Sequence, residues 1–382
     1  MRGLVLEGGG AKGSFHVGAL KALYERGYSF DGVTGTSIGA LNGAFIAQND
    51  FEKLYEIWYN ATPSLLFDVD ESMFGRILSN DYDKDVFKYA FKLFKSTIST
   101  NGVPLDKAKA LLAKYIDEDK IRRSNIDFGI VTVLTSEDWK PLELFKEEIP
   151  KGELKDYLLT SAYLPIFNRP KVGGKQYLDG GIYDNCPVNP LIYRGYEEII
   201  AIRTGSNMPR QRVIDGTVKV DYIEPSDTLG KLLDFRTERI RDNIQLGYFD
   251  ALRYTDKLLG VKYYVKPLSR SESVNFIENL GHKVYVEWAK VLGVTGTRQE
   301  LLSRAIEAVT DEQNLSWNLE KVDVIIATLE SVASSMNIEK FKIYTLDEFI
   351  KTIASKWNTN HSPKYEISYN LVKILIENYV KE

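Results

Sequence analysis

Two hydrophobic periods alternate along the chain. Residues 4–6 (Leu-Val-Leu) form a short apolar run, read as a buried strand, which leads at once into four closely spaced glycines. From Gly13 to about Arg26, Val17, Leu20, Ala22 and Leu23 share one helical face, and Gly27 is a natural stop. Residues 30–34 read as a second strand and 37–48 as a second helix. Such tight strand–helix alternation favours a sheet covered on both faces. Between about 51 and 125 the pattern turns helical, aromatic and mixed in charge, as if inserted between sheet elements. Sheet-like runs return at 128–134, 142–145, 176–178, 198–203 and 218–223, and 228–259 reads as one long helical stretch. The polar residues 266–275 read as a linker, and 276–382 as a mostly helical C-terminal region. Neither an internal repeat nor a low-complexity segment is evident.

Composition narrows the class. The 382 residues are 44% hydrophobic and 27% charged, enough for one large domain or two ordinary ones. A net charge of −4 argues against a nucleic-acid partner, which calls for a basic face. The single cysteine, Cys186, excludes an intrachain disulfide and reads as a packed residue. The first residues lack the charged and apolar regions of a Sec-type signal, and no apolar run reaches the roughly 18 residues of a membrane span. The expectation is a cytoplasmic protein, with signal-free secretion left open.

The candidate chemistry lies in three glycine-bearing turns. Gly8-Gly9-Gly10-Ala11-Lys12-Gly13 satisfies G-x-G-x-x-G after a strand, and Asp31 stands where a ribose-binding carboxylate would, so a dinucleotide site is a rival reading. The spacing of a P-loop is absent. Gly35-Thr36-Ser37-Ile38-Gly39 is G-x-S-x-G at a strand-to-helix junction, which sets a serine on a strained turn with its Oγ exposed. A dinucleotide fold has no need of this second turn. With Ser37 as nucleophile, the amides of Gly8, Gly9 and Gly10 become donors to an oxyanion, with the charge of Lys12 nearby. The serine needs a base. Of three histidines, His16 lies on the first helix and reads as an oriented helix residue, while His282 and His361 fall in the late helical region. The better base is Asp179, which ends an apolar run and precedes Gly180-Gly181; partial burial would raise its pKa toward usefulness. Asp184 competes for the role, but the paired glycines favour Asp179. Asn185 is expected to hydrogen-bond the loop carrying Asp179.

Taken in order, GGGAKG, GTSIG and DGG resemble the patatin-like phospholipases. Residues 160–167 (TSAYLPIF) and 184–188 (DNCPV) look like that family's S-A-x-x-P-x-F and D-N-x-P-V segments. The resemblance covers roughly residues 1–265. It implies a three-layer α/β/α fold with a helical insertion, Ser37 as acyl-forming nucleophile, Asp179 as its base, and Gly8–Gly10 as the oxyanion hole. Lys12 fills the Arg/Lys position of that loop, and Gly13, Gly35, Gly39, Gly180, Gly181 and Asn185 support the turns. It further implies a lipid acyl ester as substrate, a phospholipid or lysolipid, with no metal and no cofactor. The rival classes are a lipid-binding or regulatory protein on the same fold and a nucleotide-binding oxidoreductase. Residues 84–98 form a basic amphipathic stretch, with Lys84, Lys88, Lys92 and Lys95 opposed to Val86, Phe87, Ala90, Phe91 and Phe94. It reads first as a cap helix packed on the core, and second as a peripheral membrane contact. No protein activator is legible.

Overall fold

In the computed structural model, which describes residues 1–67, 69–81, 83–99, 102–136, 138–357 and 364–379, the chain forms two compact units, Met1–Ala251 and Leu252–Glu382. The first begins with β1 (Arg2–Leu6), α1 (Ser14–Glu25), β2 (Gly32–Thr36) and α2 (Ile38–Ala47). Six helices follow: α3 (Phe51–Tyr59), α4 (Pro63–Leu66), α5 (Glu71–Leu78), α6 (Lys84–Ser99), α7 (Asp106–Tyr115) and α8 (Glu118–Arg123). The sheet resumes with β3 (Asp127–Leu134) and β4 (Lys140–Phe145). After α9 (Leu154–Ser161) come β5 (Tyr177–Asp179), α10 (Asn189–Tyr193), β6 (Glu198–Ile202) and β7 (Lys219–Ile223). The unit boundary falls within α11 (Thr237–Asp256).

The strands form one sheet in the order β4-β3-β2-β1-β6-β7, parallel from β3 to β7, with β4 and β5 both antiparallel to β3. Leu4–Leu6 and Ile199–Ile202 are fully buried, as the central strands of a sheet covered on both faces must be. That accounts for their unbroken apolar runs.

One detail of pairing governs the rest. Strand β3 has two edges. β4 runs along one from Gly129 to Leu134, and β2 along the other from Asp127 to Val131. β5 pairs with Thr132–Leu134, so it takes the second edge where β2 has ended. Thr36 therefore stands opposite Val131, and Asp179 opposite Thr132. Two distant chain segments meet end to end beside β3.

The long helix expected over 228–259 is shorter than its pattern suggests. Gly230 has a φ of +82° and breaks the periodicity, and helix α11 starts only at Thr237. The loop before it has a task of its own, because the Leu232 carbonyl accepts the Ala11 amide at 2.8 Å.

The second unit has β8 (Tyr264–Val265), α12 (Arg270–Asn279), α13 (His282–Leu292), α14 (Arg298–Gln313), α15 (Lys321–Ala333), β9 (Ile343–Tyr344), α16 (Leu346–Ser355) and α17 (Glu366–Tyr379). The polar stretch 266–275 carries a helix start: the Ser269 hydroxyl accepts the Glu272 amide and the Glu272 carboxylate returns to the Ser269 amide, so serine and glutamate there are a capping box. The core of this unit gathers Trp288, Leu302, Ile326, Leu329, Phe349 and Leu375, among others.

Candidate active site

Ser37 adopts φ 56° and ψ −123°, between β2 and α2. A non-glycine residue there is strained, and the strain aims the side chain out of the turn. The flanking glycines are sterically obligatory. A Cβ on Gly35 would lie 2.3 Å from the Gly39 carbonyl carbon, and one on Gly39 only 2.0 Å from the Leu6 oxygen. The Ser37 amide donates to Ser161 Oγ at 2.9 Å, and that hydroxyl donates to the Val131 carbonyl at 2.6 Å. Ser161 thus tethers the turn to β3. It lies within the TSAYLPIF stretch, where nothing in its immediate neighbours marks it as a tether for a turn 124 residues earlier.

Asp179 ends β5 and is 2% exposed. Its Oδ1 accepts the Gly181 amide at 2.7 Å, while among the described residues Oδ2 receives no complete hydrogen bond. Burial drives its pKa up to about 6; the Gly181 amide and the Ser37 hydroxyl draw it back. A Cβ on Gly180 would meet the Val131 oxygen at 2.3 Å, and one on Gly181 would meet Asn185 Oδ1 at 2.6 Å. Both glycines let this turn press against β3 and its neighbour.

The first glycine turn follows β1. The Gly8 amide donates to the Asn185 carbonyl at 2.9 Å, so of the three donors expected from Gly8–Gly10 the first is already committed. Gly9 and Gly10 enter no hydrogen bond through their amides among the described residues. Gly10 sits at φ +57°, and a Cβ there would strike the Leu232 oxygen at 2.3 Å. Lys12, half-buried, and Gly13 complete the turn into α1, and Asn42 Nδ2 donates to the Gly13 carbonyl at 3.0 Å.

Asn185 differs from expectation. Its side-chain amide donates to the Gly8 carbonyl at 3.1 Å, bracing the first glycine turn rather than the loop of Asp179. Asp184 Oδ1 accepts the amides of Cys186 and Gln211, and burial raises this carboxyl as well to about 6. His16 is fully buried with its pKa driven down to about 3, a neutral ring whose Nδ1 lies 3.3 Å from Asn42 Nδ2. Burial raises the Cys186 thiol well above its ordinary value, which makes it a packed residue. His282 opens α13 in the second unit, and His361 lies outside the described residues.

Asp31 removes a support of the dinucleotide reading. Its carboxylate accepts the Arg2 amide at 2.7 Å, at the start of β1, whereas the glycine turn leaves the other end of that strand. A ribose carboxylate belongs at the same end as the glycines.

An apolar pocket adjoins the serine turn through Ile38 and Leu41 of α2. Trp58, Leu66, Leu111 and Phe235 wall its far side, with Trp58 and Phe235 stacked at 6.1 Å. The helical insertion supplies much of this wall. On α6, Val86 is buried, but Phe87 and Phe91 are 66% and 61% exposed beside Lys88 and Lys92. The aromatic face is therefore not packed inward as the cap-helix reading expects; the side chains of Phe94 and Lys95 lie outside the described residues. Among the described residues no helix is long and apolar enough to cross a membrane, and no group of three His, Cys, Asp or Glu gathers as a metal site.

Residues 4–192 match the family model described as patatin-like phospholipase. Lysophospholipase NTE1 of Mycosarcoma maydis is 30% identical over 206 residues, 53% of this chain and 10% of that protein. The patatin-like phospholipase domain-containing protein ZK370.4 of Caenorhabditis elegans is 42% identical over 215 residues, 53% of this chain and 14% of that one. The chain thus spans 10% and 14% of the length of these two relatives. Among solved structures, VipD from Legionella pneumophila aligns over 98% of this chain and 91% of its own at 14% identity and a TM-score of 0.41. Through residues 4–192 the chain belongs to the patatin-like phospholipase family.

Proposed function

We propose that the chain is a serine lipid acyl hydrolase, of phospholipase A or lysophospholipase type, working through Ser37 and Asp179. One observation carries the reading: a serine on a positive-φ elbow between obligatory glycines, whose hydroxyl bears on a buried carboxylate that accepts only one backbone amide. Asp179 takes the proton from Ser37 Oγ as the oxygen attacks the ester carbonyl. The amides of Gly9 and Gly10 receive the oxyanion, and the positive end of α2 favours the same charge. The acyl–oxygen bond breaks, and the departing alcohol or lysolipid takes the proton from Asp179. Water then gives a proton to Asp179 and attacks the acyl-enzyme; the fatty acid leaves and Ser37 regains its proton. The apolar cavity beside Ser37 suits a fatty-acyl chain, and the names of the relatives point to lysophospholipids. Phe87 and Phe91, with Lys84, Lys88 and Lys92, support peripheral contact with an anionic lipid surface.

The test is labelling with a fluorophosphonate, followed by hydrolysis of lysophosphatidylcholine. Wild type takes one label per chain, and Ser37→Ala takes none. Asp179→Asn loses both labelling and turnover. A wild type that stays unlabelled with phospholipid vesicles present, and releases no fatty acid, overturns the reading.

A further inference from the structure

The two strands flanking β1 place different residues on either side of the first glycine turn. Leu6 stands opposite Gly35 of β2 and opposite Ile202 of β6. Beyond the paired residues, a Cβ on Gly8 would lie 3.2 Å from the Thr36 oxygen on the β2 side, while Thr204 reaches the Gly8 carbonyl from the β6 side. Thr204 is buried; its hydroxyl lies 2.7 Å from the Gly8 carbonyl and 3.1 Å from Glu7 Oε2, and its one proton serves the shorter contact. The Asn185 side chain donates to the same oxygen at 3.1 Å, so both lone pairs of that carbonyl are engaged.

A trans peptide points its C=O and N–H in opposite directions, and the chain has no cis bond among its described residues. Holding the Gly8 oxygen on Thr204 and Asn185 therefore turns the Gly9 amide away from both of these donors. Thr204 is itself held. Its amide donates to Glu7 Oε2 at 2.6 Å, and Glu7 is completely buried. Contact is close enough that a Cβ on Gly9 would lie 2.7 Å from Thr204 Oγ1. A glycine peptide without such a brace can flip at small cost, because glycine tolerates both signs of φ.

We propose that Thr204 is a positioning residue for the oxyanion site: its hydroxyl fixes the Gly8–Gly9 peptide so that the Gly9 amide meets the charge developing on the substrate oxygen. The inference rests on the hydrolase reading and adds a residue to it. Thr204 touches neither substrate nor Ser37. It acts through the orientation of one peptide plane, so its loss weakens transition-state binding and spares ground-state binding.

The experiment compares wild type, Thr204→Val and Thr204→Ser in hydrolysis of lysophosphatidylcholine. It also measures their affinity for a long-chain alkyl trifluoromethyl ketone, which forms a tetrahedral adduct with an active serine, and for free fatty acid, which does not. Thr204→Val is expected to lower kcat about 10- to 100-fold, short of the ~10²–10³ lost when an oxyanion donor is removed outright. Its KM and fatty-acid affinity stay within about twofold while ketone affinity falls in step with kcat. Thr204→Ser recovers most of both. Should the valine variant melt far below wild type, Thr204→Ala carries the same comparison. A valine variant with undiminished kcat, a parallel loss of ketone and fatty-acid affinity, or a serine variant as poor as valine would each overturn the proposal. Those outcomes presuppose a wild type that hydrolyses and labels; a wild type that does neither removes the hydrolase reading, and this inference with it.

Discussion

Two buried carboxylates, one in each unit, are built to opposite ends. Glu330 on α15 accepts the amides of Val261, Lys262 and Tyr263 at 2.7–3.1 Å, using both oxygens. Burial raises its pKa, and the three amides oppose that rise. Asp179 is as deeply buried but accepts one backbone amide, its other neighbour being the Ser37 hydroxyl. A fully satisfied carboxylate holds a loop in place; a half-satisfied one retains an unmet demand for a proton. The same contrast runs through the surroundings. The second unit has capping boxes at Ser269, Thr297 and Thr345 and an apolar core. The first has Ser37 in a disfavoured backbone region and, among the described residues, an Asp184 Oδ2 that is buried without a hydrogen bond. The elbow at Ser37 and the half-met carboxylate of Asp179 thus depart from local preference where the proposed chemistry sits.

The largest expected effect is catalytic. Ser37→Ala and Asp179→Asn each lower turnover by roughly 10⁴-fold or more while far-ultraviolet circular dichroism is unchanged. Activity retained in either would mean that the buried carboxylate is not the base.

Next comes backbone sterics. Gly39→Ala forces a Cβ against the Leu6 oxygen, which belongs to a central strand and cannot withdraw. The cost is about 3 kcal/mol or more, read by denaturant unfolding.

The two carboxylates themselves part company in amide variants. Glu330→Gln loses about 1–3 kcal/mol, because an amide group now faces backbone donors, and turnover by the first unit is untouched. Asp179→Asn gains stability at neutral pH. Asp179 has its folded pKa raised to about 6, so the folded state holds its proton more tightly than the unfolded chain does. Stability from this group is present at low pH and is lost as pH rises from about 4 to 6. The melting advantage of Asp179→Asn should therefore be seen at pH 7 and vanish near pH 4. The same titration shapes catalysis: kcat/KM should rise with pH through about 6 and then level, since the base must be ionised. A profile flat from pH 4 to 8 would leave Asp179 without that role.

The smallest effect is local. Thr345→Ala removes one capping box and costs about 1 kcal/mol in stability with no change in turnover.

Much of the site is legible in the chain because it consists of turns. Gly35 and Gly39 around Ser37, and Gly180-Gly181 after Asp179, announce backbone paths that a Cβ forbids. What went unread were partners supplied by other elements: Ser161 under the serine turn, Leu232 against Ala11, Thr204 against Gly8. A lone Ser or Thr beside an apolar run gives no sign of the oxygen it will meet. Residues 228–236 have the apolar spacing of a helix, but Gly230 and the acceptor role of Leu232 favour a loop. Asn185 was expected to act within its own loop and instead braces the first glycine turn.

The alternation of strand and helix, the three glycine turns and the strained serine are all readable along the chain, because each follows from steric limits acting within a few residues. That β5 continues along β3 where β2 stops, bringing Asp179 beside Ser37, depends on the pairing of distant strands. The tertiary structure also decided that the Gly8 amide is spent on Asn185 while those of Gly9 and Gly10 remain. Such outcomes depend on which edges and hydrogen-bond groups are still unpaired once distant strands have met, and no local pattern records that.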